Sequence, residues 1–227
     1  MSNNLLNKFL NPSEIKIPTL SHRNKYNEIE NRADNIIDIH IKHPLNNTWV
    51  LWYYENDRRN DWTKNLKEIT SVSTVEDFWS VYNHVKCASE LKHGCDYSFF
   101  KKDIRPMWED DANKNGGRWL VSLEKRQRES DLDNCWLEIM LCLIGESFGD
   151  YSDEVNGATV NVRQKADKIG LWTADGSKAK GESIMAIGRK MKERLGLDRS
   201  KNTAIHYQLH KDTQVKAGSL AKNTYSL

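Results

Sequence analysis

The residues of this chain best suited to chemistry are Trp108 and the carboxylate that follows it, Glu109, in the stretch Arg105-Pro106-Met107-Trp108-Glu109-Asp110. An indole offers a flat face on which a nucleobase can stack, and a neighbouring carboxylate can accept from two donors on the edge of that base. Guanine presents such a pair at N1 and N2; adenine, cytosine and uracil do not. Seven further tryptophans, Trp49, Trp52, Trp62, Trp79, Trp119, Trp136 and Trp172, supply candidates for a second stacking face. Two indoles around one base favour a cationic base, because the ring face attracts positive charge by about 0.5–2 kcal/mol. The chemistry implied is recognition of methylated guanine. The competing interpretation of Trp108 is a core aromatic after a proline turn.

A second group of candidates is cationic. Arg163 and Lys165 fall two apart in an expected strand and so share a face, with Lys168 just across the turn. Such a cluster can hold the phosphates of a stacked nucleotide, the arginine in bidentate fashion. Arg118, after Gly116 and Gly117, can join it. The alternative is a solvated strand face whose lysines guard an edge. The carboxylates of Glu109, Asp110, Asp111, Asp131 and Asp133 are of the kind that hold divalent cations in a phosphoesterase. Asp131 and Asp133 stand, however, where a helix start favours negative charge. No Walker loop and no His-Glu-x-x-His motif is present, so a non-enzymatic binding protein without metal or cofactor is expected.

The 227 residues, 38% hydrophobic and 29% charged, suffice for one sizeable domain or two small ones. With 34 basic against 32 acidic side chains the net charge is +2, which excludes a protein that coats nucleic acid by bulk electrostatics. No apolar run approaches the roughly 20 residues of a membrane helix, and Met1 to Leu10 lack the features of a secretory signal. Cys87, Cys95, Cys135 and Cys142 form no Cys-x-x-Cys pair, so reduced thiols in a cytoplasmic protein are the expectation.

The elements that must position these residues follow from patterning. Residues 1–42, rich in Asn and Ser with Pro12 and Pro18, read as a mostly disordered tail, and 43–227 as the folded domain. The tail holds one apolar patch, Ile36 to Ile41, suited to a sheet edge or a partner. A strand is expected over Thr48 to Glu55, dense in aromatic and β-branched residues. Thr74 opens a helix whose Val75, Phe78, Trp79, Tyr82 and Val85 keep helical spacing. Strands follow at Tyr97–Phe100 and Arg118–Glu124, then a helix from Cys135 to about Glu146. A hairpin over Gly157–Lys165 and Lys168–Ala174 turns at Ala166-Asp167. A third helix spans Ser183 to Leu195 and stops at Gly196, and His206 to Leu209 forms a last strand before a polar tail. This is an α+β pattern, one antiparallel sheet with helices on one side and a free side for binding. The second helix is apolar nearly all round from Trp136 to Ile144, with Leu137, Leu141 and Ile144 on one stripe beside Glu138. The excess face is either covered by further structure or a docking patch for a partner helix, which Val75 and Trp79 extend.

From His43 to the C-terminus the chain resembles the eukaryotic translation initiation factor 4E family, which binds the 7-methylguanosine cap of mRNA. The resemblance rests on His43-Pro44-Leu45, Trp49 and Trp52, Thr74 to Trp79, Pro106 to Asp110, Gly117-Arg118-Trp119, Ser130 to Asp133, Leu141 to Glu146, Asn161-Val162-Arg163, Lys168, Trp172 and Gly218-Ser219. It implies a curved antiparallel sheet of about eight strands, with three helices on the convex face and the cap on the concave one. It implies that Trp62 and Trp108 sandwich the base, Glu109 reads N1 and N2, and Trp172 meets the methyl group. Arg163 and Lys168 then take the phosphates, with Arg118 and Lys165 more peripheral. His43, Pro44, Val75, Trp79, Leu137, Glu138, Leu141 and Ile144 match the surface that binds initiation factor 4G and 4E-binding repressors carrying Tyr-x-x-x-x-Leu. Ser219 matches a regulatory phosphorylation site, and a cytoplasmic location, with nucleus and RNA granules in addition, is implied. Asp198 to Asn202 lengthens a loop, Ala217 and Leu220 flank Ser219, and Tyr54 replaces a common phenylalanine, as in a paralogue. Cap-dependent promotion of initiation, repression by a paralogue with a weak scaffold contact, and the remote phosphoesterase stay open at this point.

Overall fold

Along Pro44–Tyr54 the side chains alternate, with Trp49, Leu51 and Tyr53 buried and Trp52 and Tyr54 half-exposed on the other face. That period of two belongs to a sheet with one packed face and one accessible face. The strands are β1 (Pro44–Tyr54), β2 (Leu66–Thr74), β3 (Asp96–Lys101), β4 (Gly117–Glu124), β5 (Val155–Asn161), β6 (Ala166–Thr173), β7 (His206–Leu209) and β8 (Tyr225–Ser226). In the computed structural model, which describes residues 41–197, 203–214 and 223–227, they form one antiparallel sheet in the order β2-β1-β3-β5-β6-β4-β7-β8. Three helices, α1 (Val75–His84), α2 (Asp133–Ile144) and α3 (Gly181–Arg194), pack on the face that carries Trp49, Phe99, Trp119, Leu171 and Tyr207. The α+β architecture and the helix-free face are those expected. The expected tail, apart from Ile41 and Lys42, lies outside the described residues, as do the 198–202 loop and Ser219.

Each helix has a local cause. Thr74 caps α1, its hydroxyl accepting from the Asp77 amide at 3.1 Å, and Glu76 and Asp77 sit against the positive end of the helix dipole. Buried Phe78 then meets Phe99 of the sheet, ring centroids 6.1 Å apart. In α2, Cys135, Trp136, Ile139, Met140, Cys142 and Leu143 are buried, which accounts for most of its apolar content. On α3, Gly188 lets the backbone lie directly on Trp119, since a Cβ there would come within 2.4 Å of the indole. The Trp119 Nε1–H donates to the Ile184 carbonyl at 2.9 Å, which fixes the same contact. The helix closes at Gly196, at φ +66°, as the glycine stop signal requires.

Three features depart from expectation. The β5–β6 connection is Val162–Lys165, not Ala166-Asp167: Asp167 is fully buried within β6, where its carboxylate is held by Arg128. Arg163 and Lys165 therefore lie in a connection, and the alternation that would place them on one strand face does not apply. β2 escaped the patterning because a bulge opposite Leu51 and Trp52 breaks its alternation, with Leu66 buried on the cleft side and Ile69 and Val72 in the core. β8 is two residues within the segment expected as a polar tail, paired to β7 through Tyr207 and Tyr225.

Candidate functional site

The face without helices carries the side chains of alternate residues on six strands, and register brings them together. Trp172 pairs across with Arg118, Gly170 with Thr159, Thr159 with Ser98, and Tyr54 with Asp96. Beyond this floor stand two loops that deliver the first candidates. Between β3 and β4, buried Asn113 donates to the carbonyls of Arg105 and Met107, both at 2.9 Å, and accepts from Asn156 at 2.9 Å. The Asp110 carboxylate accepts from the amides of Arg105 and Ala112 at 3.0 Å. Asparagine and aspartate side chains thus tie the turn from within, and Pro106 is buried beneath it, so Trp108 and Glu109 project from a fixed backbone. Trp108 is half-buried and Glu109 exposed. The Trp108 Nε1–H donates to Glu109 Oε1 at 2.6 Å, which aligns indole and carboxylate. An ionised carboxylate offers about four acceptor sites, so Glu109 retains capacity for a donor pair.

Trp62 opens the helical turn Trp62–Asn65, capped by Asp61, whose carboxylate accepts from the Lys64 amide at 3.0 Å. Asn65 anchors the turn by donating to the Asp57 carbonyl at 2.8 Å. This leaves the Trp62 indole 43% exposed, tilted at 33° to Tyr54, unlike the buried Trp49, Trp119 and Trp136. Trp62, Trp108, Glu109, Arg118 and Trp172 line one open cleft of about 420 Å³ together with Tyr54, Leu66, Asp96, Ser98, Pro106, Met107, Thr159 and Asn161. Five of the eight residues expected around a nucleotide therefore share one concavity of ligand size.

Of the four cations, only Arg118 lines this cleft. Arg118 lies over the Trp172 ring, 5.9 Å from its centroid, and burial pushes its guanidinium pKa down. It forms no ion pair among the described residues, and its Nε has no hydrogen-bond partner there. Arg163 is bound through both Nη atoms to Asp96, which lines the cleft wall. Asp96 holds Arg163 more firmly protonated, while burial pushes the Asp96 carboxyl up. Lys168 shares the face of Trp172, four residues along β6, and is exposed, whereas Lys165 is exposed in the connection. Behind Trp172 the imidazole of fully buried His210 packs at 4.2 Å between centroids. Burial, with Arg118 adding to it, depresses the His210 pKa to about 3. Sequence reasoning missed Asp96 and His210: neither stands in a motif, and only the register of β3 with β5 and a one-turn helix after β7 bring them to the site.

The helix-covered side presents a second surface. On α2 the residues not directed into the core, Leu137, Glu138, Leu141 and Ile144, form a half-exposed stripe. Trp79 on α1 is 37% exposed and packs edge-on against Phe78 and Tyr82. His43 is fixed to the start of α1: its carbonyl accepts from the Val75 amide at 2.9 Å, and its ring meets Glu76 at 2.6 Å. That contact holds the Glu76 carboxyl down to about 2. Three residues past exposed Pro44, Asn47 donates to Glu146 at 2.7 Å, just beyond the end of α2. The segment His43–Asn47 therefore bridges the start of α1 to the end of α2.

The remaining acidic candidates have structural work. Asp133 accepts from the amide and hydroxyl of Ser89, Asp131 from Gln127 at 3.3 Å, and Asp111 pairs with Lys114 at 2.8 Å. No group of three or more metal-ligating side chains occurs among the described residues. Gly145 to Gly149 does have the Gly-x-Ser-x-Gly spacing, but it follows the end of α2 instead of joining a strand to a helix, so it is not a nucleophile elbow. No helix among the described residues is long and apolar enough to cross a membrane.

The profile of a family described as eukaryotic initiation factor 4E matches residues 44–225. Eukaryotic translation initiation factor 4E1 of Drosophila melanogaster is 56% identical over 186 residues, 82% of this chain and 70% of the relative. Eukaryotic translation initiation factor 4E of Homo sapiens is 55% identical over 186 residues, 82% of this chain and 84% of the relative. Among solved structures, Ascaris suum eIF4E-3 in complex with an m2,2,7G cap is similar at a TM-score of 0.76 and 44% identity, covering 82% of this chain and 99% of that one. The complex of C. elegans eIF4E-3 with the 4E-binding protein Mextli and a cap analog is similar at a TM-score of 0.74 and 41% identity, covering 82% and 100%.

Proposed function

The chain belongs to the eukaryotic initiation factor 4E family, and on that footing we propose that it binds the 7-methylguanosine cap of mRNA in the open-face cleft and, through α1 and α2, a scaffold initiation factor, promoting translation initiation. The observation that carries this reading is the convergence of Trp62, Trp108, Glu109, Arg118 and Trp172 on one cleft of ligand size. Trp62 and Trp108 stack on the two faces of the base, and a methylated, cationic guanine gains from both ring faces. Glu109 accepts from N1 and N2, which selects guanine, and charge-assisted bonds of that kind are about twice as strong as neutral ones. Trp172 meets the N7-methyl group. Arg163 and Lys168 take the phosphates, with Arg118, beside Trp172 in the cleft, and Lys165 as further cations, and no catalytic step is involved.

On the opposite face, His43, Pro44, Val75, Trp79, Leu137, Glu138, Leu141 and Ile144 form the groove for an amphipathic helix with a Tyr-x-x-x-x-Leu motif. The scaffold and 4E-binding repressors compete there, and Ser219 is a phosphorylation site in the same scheme. Work in the cytoplasm, nucleus and RNA granules belongs to it as well, with 43–227 acting as the cap-binding domain. The half-exposed stripe of α2 and the exposed Trp79 support promotion over a paralogue that represses by failing to hold the scaffold. The test is a ternary complex: the chain retained on a 7-methyl-GTP resin should still bind a Tyr-x-x-x-x-Leu peptide. A peptide that releases the chain from the resin would contradict two separate faces.

A further inference from the structure

Arg128 and Asp167 are outside both surfaces, yet they form a buried polar cluster tied to Arg163. Asp167 lies on the helix-covered side of β6 with no exposed surface, and the Arg128 side chain, from the turn that leads into α2, is 12% exposed. The guanidinium grips the carboxylate at both ends, Nε to Oδ2 at 2.6 Å and Nη2 to Oδ1 at 2.7 Å. The same Nη2 donates to the Arg163 carbonyl at 2.6 Å, and Asp167 Oδ1 accepts from the Arg163 amide at 2.9 Å. Arg128 Nη1 also stands 3.4 Å from His93 Nδ1. Both main-chain polar groups of Arg163 are therefore committed to this pair, and its guanidinium is committed to Asp96 on the cleft wall.

We propose that Arg128 and Asp167 are positioning residues for phosphate recognition: their pair fixes the backbone of Arg163 from behind the sheet, so that its guanidinium stands ready at the cleft rim. The proposal rests on the cleft being a nucleotide site. A four-residue connection carrying an arginine would otherwise sample many orientations, and ordering it at the moment of binding would weaken binding. A lysine cannot replace the fork, because an ammonium makes no bidentate contact with a carboxylate while also reaching a carbonyl.

The experiment compares 7-methyl-GTP with the nucleoside 7-methylguanosine, which lacks phosphates, on wild type, Arg128→Lys and Arg128→Met, with folding checked by thermal unfolding. Arg128→Lys preserves size and charge and decides the matter if Arg128→Met does not fold. The expected result is a loss of about fivefold or more for 7-methyl-GTP with the nucleoside unchanged within about twofold. In an Arg163→Gln background the further loss should nearly vanish, because both changes remove one interaction. Equal losses for both ligands would reduce the pair to a general structural role and overturn the proposal, as would no loss for either. A wild type that binds neither ligand would instead overturn the cleft assignment, and the positioning role with it.

Discussion

The two faces of this sheet are built in different ways. The proposed docking patch on the helical side is drawn mainly from one stripe of α2 and the start of α1, with side chains whose spacing is that of the helix itself. The cleft on the open side is assembled from a helical turn, a loop tied by Asn113 and Asp110, and six strands. One surface is a property of secondary structure, the other of tertiary register. They should therefore fail independently, and substitutions can be ordered by how sharply they separate the two.

Trp108→Ala should have the largest effect, removing stacking and cation attraction worth about 3 kcal/mol, on the order of 100-fold in affinity for 7-methyl-GTP by calorimetry. Peptide binding to the helical face should be untouched. Trp79→Ala should do the reverse, lowering affinity for a Tyr-x-x-x-x-Leu peptide by about 2 kcal/mol while cap binding stays at the wild-type value. If Trp79→Ala weakened both, the faces would not be separate and Trp79 would be a packing residue.

The next effect is on stability and belongs to the open side. His210 is held neutral in the folded state, with a pKa near 3 against an ordinary 6.5. The unfolded chain takes up a proton below 6.5 that the folded chain refuses, so stability is complete above that pH and falls as pH drops towards 3. By pH 5 the loss should reach about 2 kcal/mol, read as a drop in unfolding temperature that His210→Leu flattens. Lys168→Ala follows, with about 1 kcal/mol or less for 7-methyl-GTP and a shallower salt dependence, since the side chain is exposed. Glu76 should matter least. Its carboxyl is held near 2 against an ordinary 4.5, so its tie to His43 is complete at neutral pH and is lost only as pH falls from 4.5 towards 2. Glu76→Gln should leave cap binding unchanged and lower peptide affinity by less than about threefold.

The same contrast explains what could be read before the structure. The helical side was readable because period and burial coincide: Leu137, Leu141 and Ile144 declare a stripe, and Thr74 declares the start of α1. Most of the sheet was readable, β1 from its density of aromatic and β-branched residues and β4 from the alternate placing of Trp119, Val121 and Leu123. β2 was not, because its bulge breaks the alternation and its buried residues lie on both faces, Leu66 at the cleft and Ile69 and Val72 in the core. In the cleft, Trp108 and Glu109 stand out because their residue types have few other pairings of use, whereas Asp96 looks like any strand-end aspartate until β3 lies beside β5. Asp167 misled: its residue type and position suggest a turn, but Arg128, from 39 residues away, draws it into the core and moves the turn to Val162–Lys165.

The measurement that bears most directly on the account is quenching of tryptophan fluorescence by 7-methyl-GTP and by GTP, in wild type and Trp108→Ala side by side. Strong quenching of wild type by the methylated nucleotide, weak quenching by GTP and little by either in the variant is the predicted result. Equal quenching by the two nucleotides in wild type would contradict a cleft selective for the methylated base.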